Sequence, residues 1–148
     1  MILNPDFKEF IQSLNNNQVR YLVIGGYAVA LHGYPRYTKD LDVWVESEPE
    51  NAARMVAALA DFGFGALGLE AADFLEADQV IQLGYPPNRI DILLTPRGVD
   101  FETCYDARVI EDAVGTAVNF IDLANLLANK RATGRHQDLA DVENLTPD

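Results

Sequence analysis

Three carboxylates in this chain have surroundings that make them candidates for chemistry. Asp40 and Asp42 lie two residues apart in Lys39-Asp-Leu-Asp-Val-Trp44. Acidic and apolar side chains alternate there as in a β-strand, so the two carboxylates share one face while Leu41 and Val43 take the other. Like charges held that close repel one another, and the arrangement becomes favourable when a divalent cation sits between them. Magnesium suits such a pair: it takes hard oxygen ligands, keeps several waters, and is held by one or two carboxylates plus substrate phosphates. Asp91 stands in Arg89-Ile-Asp-Ile-Leu-Leu94, and a carboxylate in so apolar a strand is costly unless it meets a cation or hydrogen-bond donors. If that strand lies beside the one carrying Asp40 and Asp42, Asp91 completes a triad.

Upstream, Gly25-Gly26 ends a short apolar run and precedes a stretch without helix breakers. Missing side chains let backbone N–H groups approach an anion, and a helix starting there adds its positive end. The polyphosphate of a nucleotide would lie at that turn, next to a metal on Asp40 and Asp42. Taken singly these features are common, since a glycine pair after a strand is mostly turn chemistry and Asp-x-Asp is mostly a solvated face. Their order along the chain is more specific than any one of them. Arg36 and Lys39 precede Asp40, and Lys130, Arg131 and Arg135 end a later helix, which makes them candidates for phosphate contact with Lys130 foremost. The alternative for such helix-end cations is that they offset the helix dipole. Thr38 reads first as a cap for the start of the strand and second as a phosphate contact.

The elements that position these residues follow from periodicity and punctuation. Asp6 is a candidate cap for a first helix, with Phe7, Phe10, Ile11 and Leu14 at helical spacing and Asn15–Asn17 at its end. Strands are predicted over Arg20–Ile24 and Asp40–Val45, with a short helix over Tyr27–His32 and a Gly33–Arg36 loop between them. Pro49 opens an amphipathic helix that ends near Gly63. The stretch from Gly63 to Asp78 has no decisive period, apart from a helical turn near Ala71–Leu75. Val80–Leu83 and Arg89–Leu94 flank Gly84-Tyr-Pro-Pro-Asn88, which is hairpin-like turn chemistry. Phe101–Ile110 and Ala117–Phe120 read as edge strands, Ile121–Arg131 as a helix closed by Gly134, and His136–Leu145 as a last helix. This is one α/β domain over residues 1–148, a mixed sheet with helices mainly on one side.

Bulk properties bound the function. The chain has 148 residues, 49% hydrophobic, with a formal charge of −12. Such a field disfavours extensive nucleic-acid binding, which depends on Lys and Arg neutralising phosphates, although local clusters of base remain compatible with it. Apolar runs are too short for a membrane helix, and the first residues do not read as a signal peptide. Cys104 is the lone cysteine and has no disulfide partner, so a cytoplasmic location is expected.

The segments Tyr21-Leu-Val-Ile-Gly-Gly-Tyr-Ala and Arg36-Tyr-Thr-Lys-Asp-Leu-Asp-Val resemble the nucleotidyltransferase signature of the polymerase-beta-like superfamily. The tail Lys130-Arg-Ala-Thr-Gly-Arg-His-Gln-Asp-Leu-Ala-Asp-Val-Glu-Asn-Leu145 is similar to the C-terminal pattern of its small bacterial members. These include the AbiEii-type toxins and, more distantly, the lincosamide and aminoglycoside nucleotidyltransferases. The resemblance implies a nucleotidyltransferase fold and transfer of a nucleoside monophosphate from a nucleoside triphosphate to an acceptor hydroxyl by a two-metal mechanism, with magnesium or in its place manganese. It implies that Gly25 and Gly26 position the triphosphate, that Asp40 and Asp42 hold metal, and that Asp91 ligates the first ion or takes the acceptor's proton. The acceptor is open: a tRNA 3′ end, a partner protein's hydroxyl or a small molecule. A protein partner of toxin–antitoxin type is implied too, and a nucleotide- or partner-binding module without turnover is the alternative. Asp138 and Asp141, three apart on one helix face, read first as structural, pairing with Arg135 or capping the helix start, and second as catalytic. His136 departs from the family pattern, which has proline there. Trp44 shares the Asp42 face and either borders a nucleotide base or packs under a flanking segment.

Overall fold

A computed structural model of the chain describes residues 3–85, 88–113 and 115–146. Helix α1 (Pro5–Asn16) is capped by Asn4, whose side chain accepts from the Asp6 N–H at 2.8 Å. The predicted cap is therefore displaced by two residues, because Pro5 has no N–H to leave unsatisfied and occupies the first helical position. Strand β1 (Tyr21–Ile24) runs straight into α2 (Gly25–Leu31), so the glycine pair forms the helix's first turn rather than a loop ahead of it. Strand β2 (Leu41–Val45) follows, then α3 (Pro49–Phe62), which Gly63 ends in the left-handed conformation. Two 3-10 turns, Gly65–Leu67 and Ala71–Phe74, fill the stretch without clear period, and Phe74 drives the second into the core.

Strands β3 (Val80–Leu83) and β4 (Ile90–Leu93) are antiparallel, as the turn chemistry between them implies; Pro86 and Pro87 of that turn lie outside the described residues. The segment read as one edge strand divides into helix α4 (Phe101–Asp106) and strand β5 (Val109–Asp112). Two local forces favour the helix. The Asp100 side chain accepts from the Thr103 N–H at 3.1 Å, and Phe101 stacks on Tyr105 one turn later at 5.4 Å between centroids. Strand β6 (Ala117–Phe120) is interior rather than an edge, and helices α5 (Leu123–Thr133) and α6 (His136–Leu145) complete the chain.

The six strands form one mixed sheet in the order β3-β4-β2-β1-β6-β5. Strand β2 is antiparallel to β1 and parallel to β4. One face carries Tyr21, Val23, Leu41, Val43, Val45, Ile90 and Ile92, all at most 3% exposed. Helices α1 and α3 pack there, tied on by hydrogen bonds from the Tyr21 hydroxyl to Asn15 Oδ1 and from Asn51 Nδ2 to the Arg20 and Glu46 carbonyls. On the opposite face α4 covers Trp44 through Phe101, edge to face at 5.1 Å, and Trp44 Nε1 donates to the Leu94 carbonyl. Beyond Trp44, around Asp42 and Asp91, that face is open. Among the described residues no helix is long and apolar enough to cross a membrane.

Candidate active site

Parallel pairing of β2 with β4 sets Asp42 directly beside Asp91. Adjacent residues in register share a face, so the two carboxylates stand side by side in the lining of the cleft on that face. Burial raises the Asp42 carboxyl to about 6, the Asp91 charge adds to the rise, Lys130 opposes it, Asp40 adds again and Arg135 opposes; among the described residues no hydrogen bond offsets the burial. Asp40 lies one residue ahead of β2 rather than within it. Its Oδ2 pairs with Arg89 Nη2 at 3.0 Å, and its Oδ1 is buried with no partner among the described residues. The Arg89 guanidinium also forks onto Asp91, Nε to Oδ1 at 2.7 Å and Nη2 to Oδ2 at 3.0 Å.

The glycine turn lies hard against this group. Gly25 has φ of +67°, a region that favours glycine, and a Cβ there would run into the Asp42 carboxylate. A Cβ on Gly26 would come within 2.8 Å of the Thr38 Cβ. The backbone of the turn thus approaches Asp42 and Thr38 as closely as it does only because neither residue has a side chain. Thr38 donates a long hydrogen bond of 3.4 Å to the Asp40 carbonyl, the structural part foreseen for it, and it faces the cleft as well.

Across the cleft stands a basic wall built by the two last helices. Lys130 is buried, with Nζ 3.2 Å from Asp138 Oδ1 and 3.0 Å from Asp141 Oδ2. Arg36 grips Asp141 with Nε and Nη2, each at 3.0 Å, and Arg135 Nε binds Asp138 Oδ2 at 2.7 Å. Burial alone would raise the Asp138 carboxyl. Bonds from Arg135 and Thr133 and the charge of Lys130 outweigh it and hold that group at about 2. The same contest lowers Asp141, where burial is overcome by the bonds from Arg36 and Lys130. Both aspartates are essentially inaccessible, at 1% and 0%. Their part is to fix three cations along one side of the cleft.

Asp40, Asp42, Asp91, Gly25, Gly26, Arg36, Thr38, Lys39, Lys130 and Arg135 all line a single cleft of about 730 Å³, within the range of small-molecule and cofactor sites. Arg89 and Arg97 line it too, and neither stood out in the sequence. For Arg89 a signal was available, since a residue two before Asp91 on a strand falls on the same face. The other candidates lie elsewhere. Arg131 and His136 are exposed on the tail helices, Cys104 is buried in α4, and Trp44 is a packed core residue at 2% exposure rather than the border of a base. His32 ends α2, with Nε2 2.8 Å from the Ile121 carbonyl.

Among the described residues, no three acidic, histidine or cysteine side chains converge as a ready-made metal cage, and Arg89 lies between two of the three carboxylates. The donor set nevertheless fits a hard divalent cation. Among the described residues no donor reaches Asp42 and the buried Asp40 Oδ1 has no partner, and the side-chain ligands the three aspartates offer are all oxygens.

No family model matches the chain, and no curated protein sequence does. Solved structures share its fold. A candidate nucleotidyltransferase from Thermotoga maritima superimposes with a TM-score of 0.63 at 16% identity, over 97% of this chain and 94% of that one. An antigenic nucleotidyltransferase-like protein from Paracoccidioides brasiliensis gives 0.55, also at 16% identity, over 98% of this chain and 78% of that one. At this identity the likeness is one of fold: the chain has a nucleotidyltransferase-like fold, and its cleft is read on its own residues.

Proposed function

We propose that this protein transfers a nucleoside monophosphate from a nucleoside triphosphate to an acceptor hydroxyl. The observation that carries the reading is the Asp42–Asp91 pair, in register at the foot of a side-chain-free turn and facing cations anchored on Asp138 and Asp141. In this reaction the acceptor oxygen bonds to the α-phosphorus, the α–β phosphoanhydride bond breaks, and pyrophosphate leaves. In this reading Arg36, Lys130 and Arg135 bind the β- and γ-phosphates, whose charge grows as that bond breaks. Gly25 and Gly26 let the triphosphate lie against the backbone beside Asp42. Asp91 receives the proton of the attacking hydroxyl directly or through water. Asp40, Asp42 and Asp91 are the residues that would hold magnesium or manganese. When bound, the metal neutralises the phosphates and lowers the pKa of the attacking hydroxyl.

The test is incubation with each α-labelled nucleoside triphosphate, magnesium and cell extract. Labelled product and pyrophosphate are expected from the wild type, and Asp42→Asn lowers both at least a hundredfold. If no transfer depends on Asp42, the transferase reading fails. A binding-only role has one observation in its favour, the Arg89 fork that already neutralises part of the acidic group. Tight nucleotide binding without pyrophosphate release under any acceptor would select it. The resemblance of head and tail motifs to AbiEii-type proteins also makes a companion protein of toxin–antitoxin type a partner to seek.

A further inference from the structure

One cation already sits among the acidic groups. Arg89 engages both oxygens of Asp91 and one oxygen of Asp40, at 2.7–3.0 Å. Its backbone carbonyl accepts from the Leu41 N–H at 3.1 Å, which pins its main chain at the mouth of β2 and β4. Its side chain keeps 27% of its surface in solvent and borders the same cleft as Arg36, Lys130 and Arg135.

We propose that Arg89 is a built-in counter-ion that closes the carboxylate site to divalent cations until a polyphosphate draws its guanidinium away. This rests on the nucleotidyl-transfer reading of the same cleft. A guanidinium fork is the strongest single-residue partner a carboxylate can have, and it leaves Asp42 alone without a donor. A divalent cation entering with the fork in place would meet a fixed positive charge within a few ångströms. Its gain from Asp40 and Asp91 would be cancelled in large part. Phosphate oxygens accept the same fork in the same planar geometry. A nucleoside triphosphate in the cleft therefore offers Arg89 an alternative partner and frees the carboxylates together. Cation and nucleotide then favour each other's binding by the same factor, as linkage requires. A solely structural Arg89, clamping the start of β4 to the loop before β2, would give no such competition.

Calorimetry with Mn²⁺ alone, in the absence of nucleotide, separates the two roles. Arg89→Gln is expected to bind Mn²⁺ at least tenfold more tightly than the wild type, and adding Asp42→Asn to that variant removes the gain. Arg89→Lys keeps the charge but has a single ammonium that cannot fork across two carboxylates, so it is expected to bind about threefold more tightly than the wild type. Thermal melting shows that each variant is folded, and the lysine variant decides the matter should the glutamine variant not fold. Mn²⁺ affinity in the variants equal to or below that of the wild type overturns the proposal. If the wild type binds Mn²⁺ as well as Arg89→Gln does, only the counter-ion role fails and the metal site of the transferase reading stands. If neither protein binds it, the counter-ion proposal falls, while the transferase reading, in which substrate phosphates complete the metal's shell, still stands or falls on Asp42-dependent label transfer.

Discussion

Asp42 is unusual among the acidic residues of the cleft: among the described residues no hydrogen bond or ion pair meets it, and the charges of Lys130 and Arg135 offset its burial only in part. Arg89 serves Asp40 and Asp91, and the tail helices serve Asp138 and Asp141, whereas Asp42 is pushed from 3.8 to about 6 by burial and by its neighbours. The folded protein therefore holds this proton more tightly than the unfolded chain does. Stability is unaffected below the unfolded value, falls as pH rises between the two values, and carries the whole penalty above about 6. That penalty is on the order of 2–3 kcal/mol. In chelator at pH 7.5, Asp42→Asn is expected to melt several degrees above the wild type, with the difference vanishing near pH 4. Thermal melts across that range check it, and an asparagine variant less stable than the wild type at pH 7.5 would mean that the carboxylate has a structural partner. Such tension at one residue is what an ion-binding position requires, since stability given up in the empty site is recovered when the ligand arrives.

At the scale of elements, the cleft depends on α5 and α6 being held at a fixed angle to the sheet. Asp141, fully buried on α6, does this by accepting both arms of Arg36 from the loop before β2 and the ammonium of Lys130 from α5. Removing one partner from a buried ion-pair network costs about 3 kcal/mol or more, roughly 6–12 °C in a domain of this size. Asp141→Asn is expected to lower the melting temperature by that amount and to raise the KM for nucleoside triphosphate, because Arg36 and Lys130 lose their common anchor. Leu139→Ala, on the same helix but 51% exposed, is the control and should change stability by under about 0.5 kcal/mol. Denaturant titration and initial-rate kinetics measure both. Much of this architecture was legible beforehand. Alternation about Asp42 and Asp91, breakers at Gly25-Gly26, and helical spacing in the tail are local signals, and the elements they imply form within a residue or two of where they were expected. What was not legible was partnership over distance. Arg36 and Asp141 are separated by 105 residues, and nothing local to either names the other. Helix α4 was misread because Phe101, Tyr105, Val109 and Ile110 together look like strand, while the decisive Asp100 cap and the Phe101–Tyr105 stack act only once the turn has formed.

For the molecule as a whole, the net charge of −12 conceals a sharp division of sign. Arg36, Lys39, Arg89, Arg97, Lys130 and Arg135, six of the eleven basic residues, line one cleft, which among the described residues takes four acidic ones, Asp40, Asp42, Asp91 and Asp138. The global charge is thus a poor guide to the ligand, and the local distribution a better one. A compact polyanion that fits within about 730 Å³ meets more basic than acidic side chains there. A long one must leave the cleft and pass over a surface dominated by carboxylates, within the roughly 8 Å over which charges act at physiological salt. A fluorescent nucleoside triphosphate with magnesium is therefore expected to bind at least tenfold more tightly than a 20-nucleotide single-stranded RNA without a triphosphate end, both followed by anisotropy in 150 mM salt. Raising the salt should weaken the triphosphate only modestly, because its partners are few and partly desolvated, and should leave the RNA without measurable affinity. RNA binding tighter than that of the mononucleotide would mean that residues outside the cleft make a continuous basic track, and the acceptor would then be sought among nucleic acids rather than among cationic small molecules or proteins.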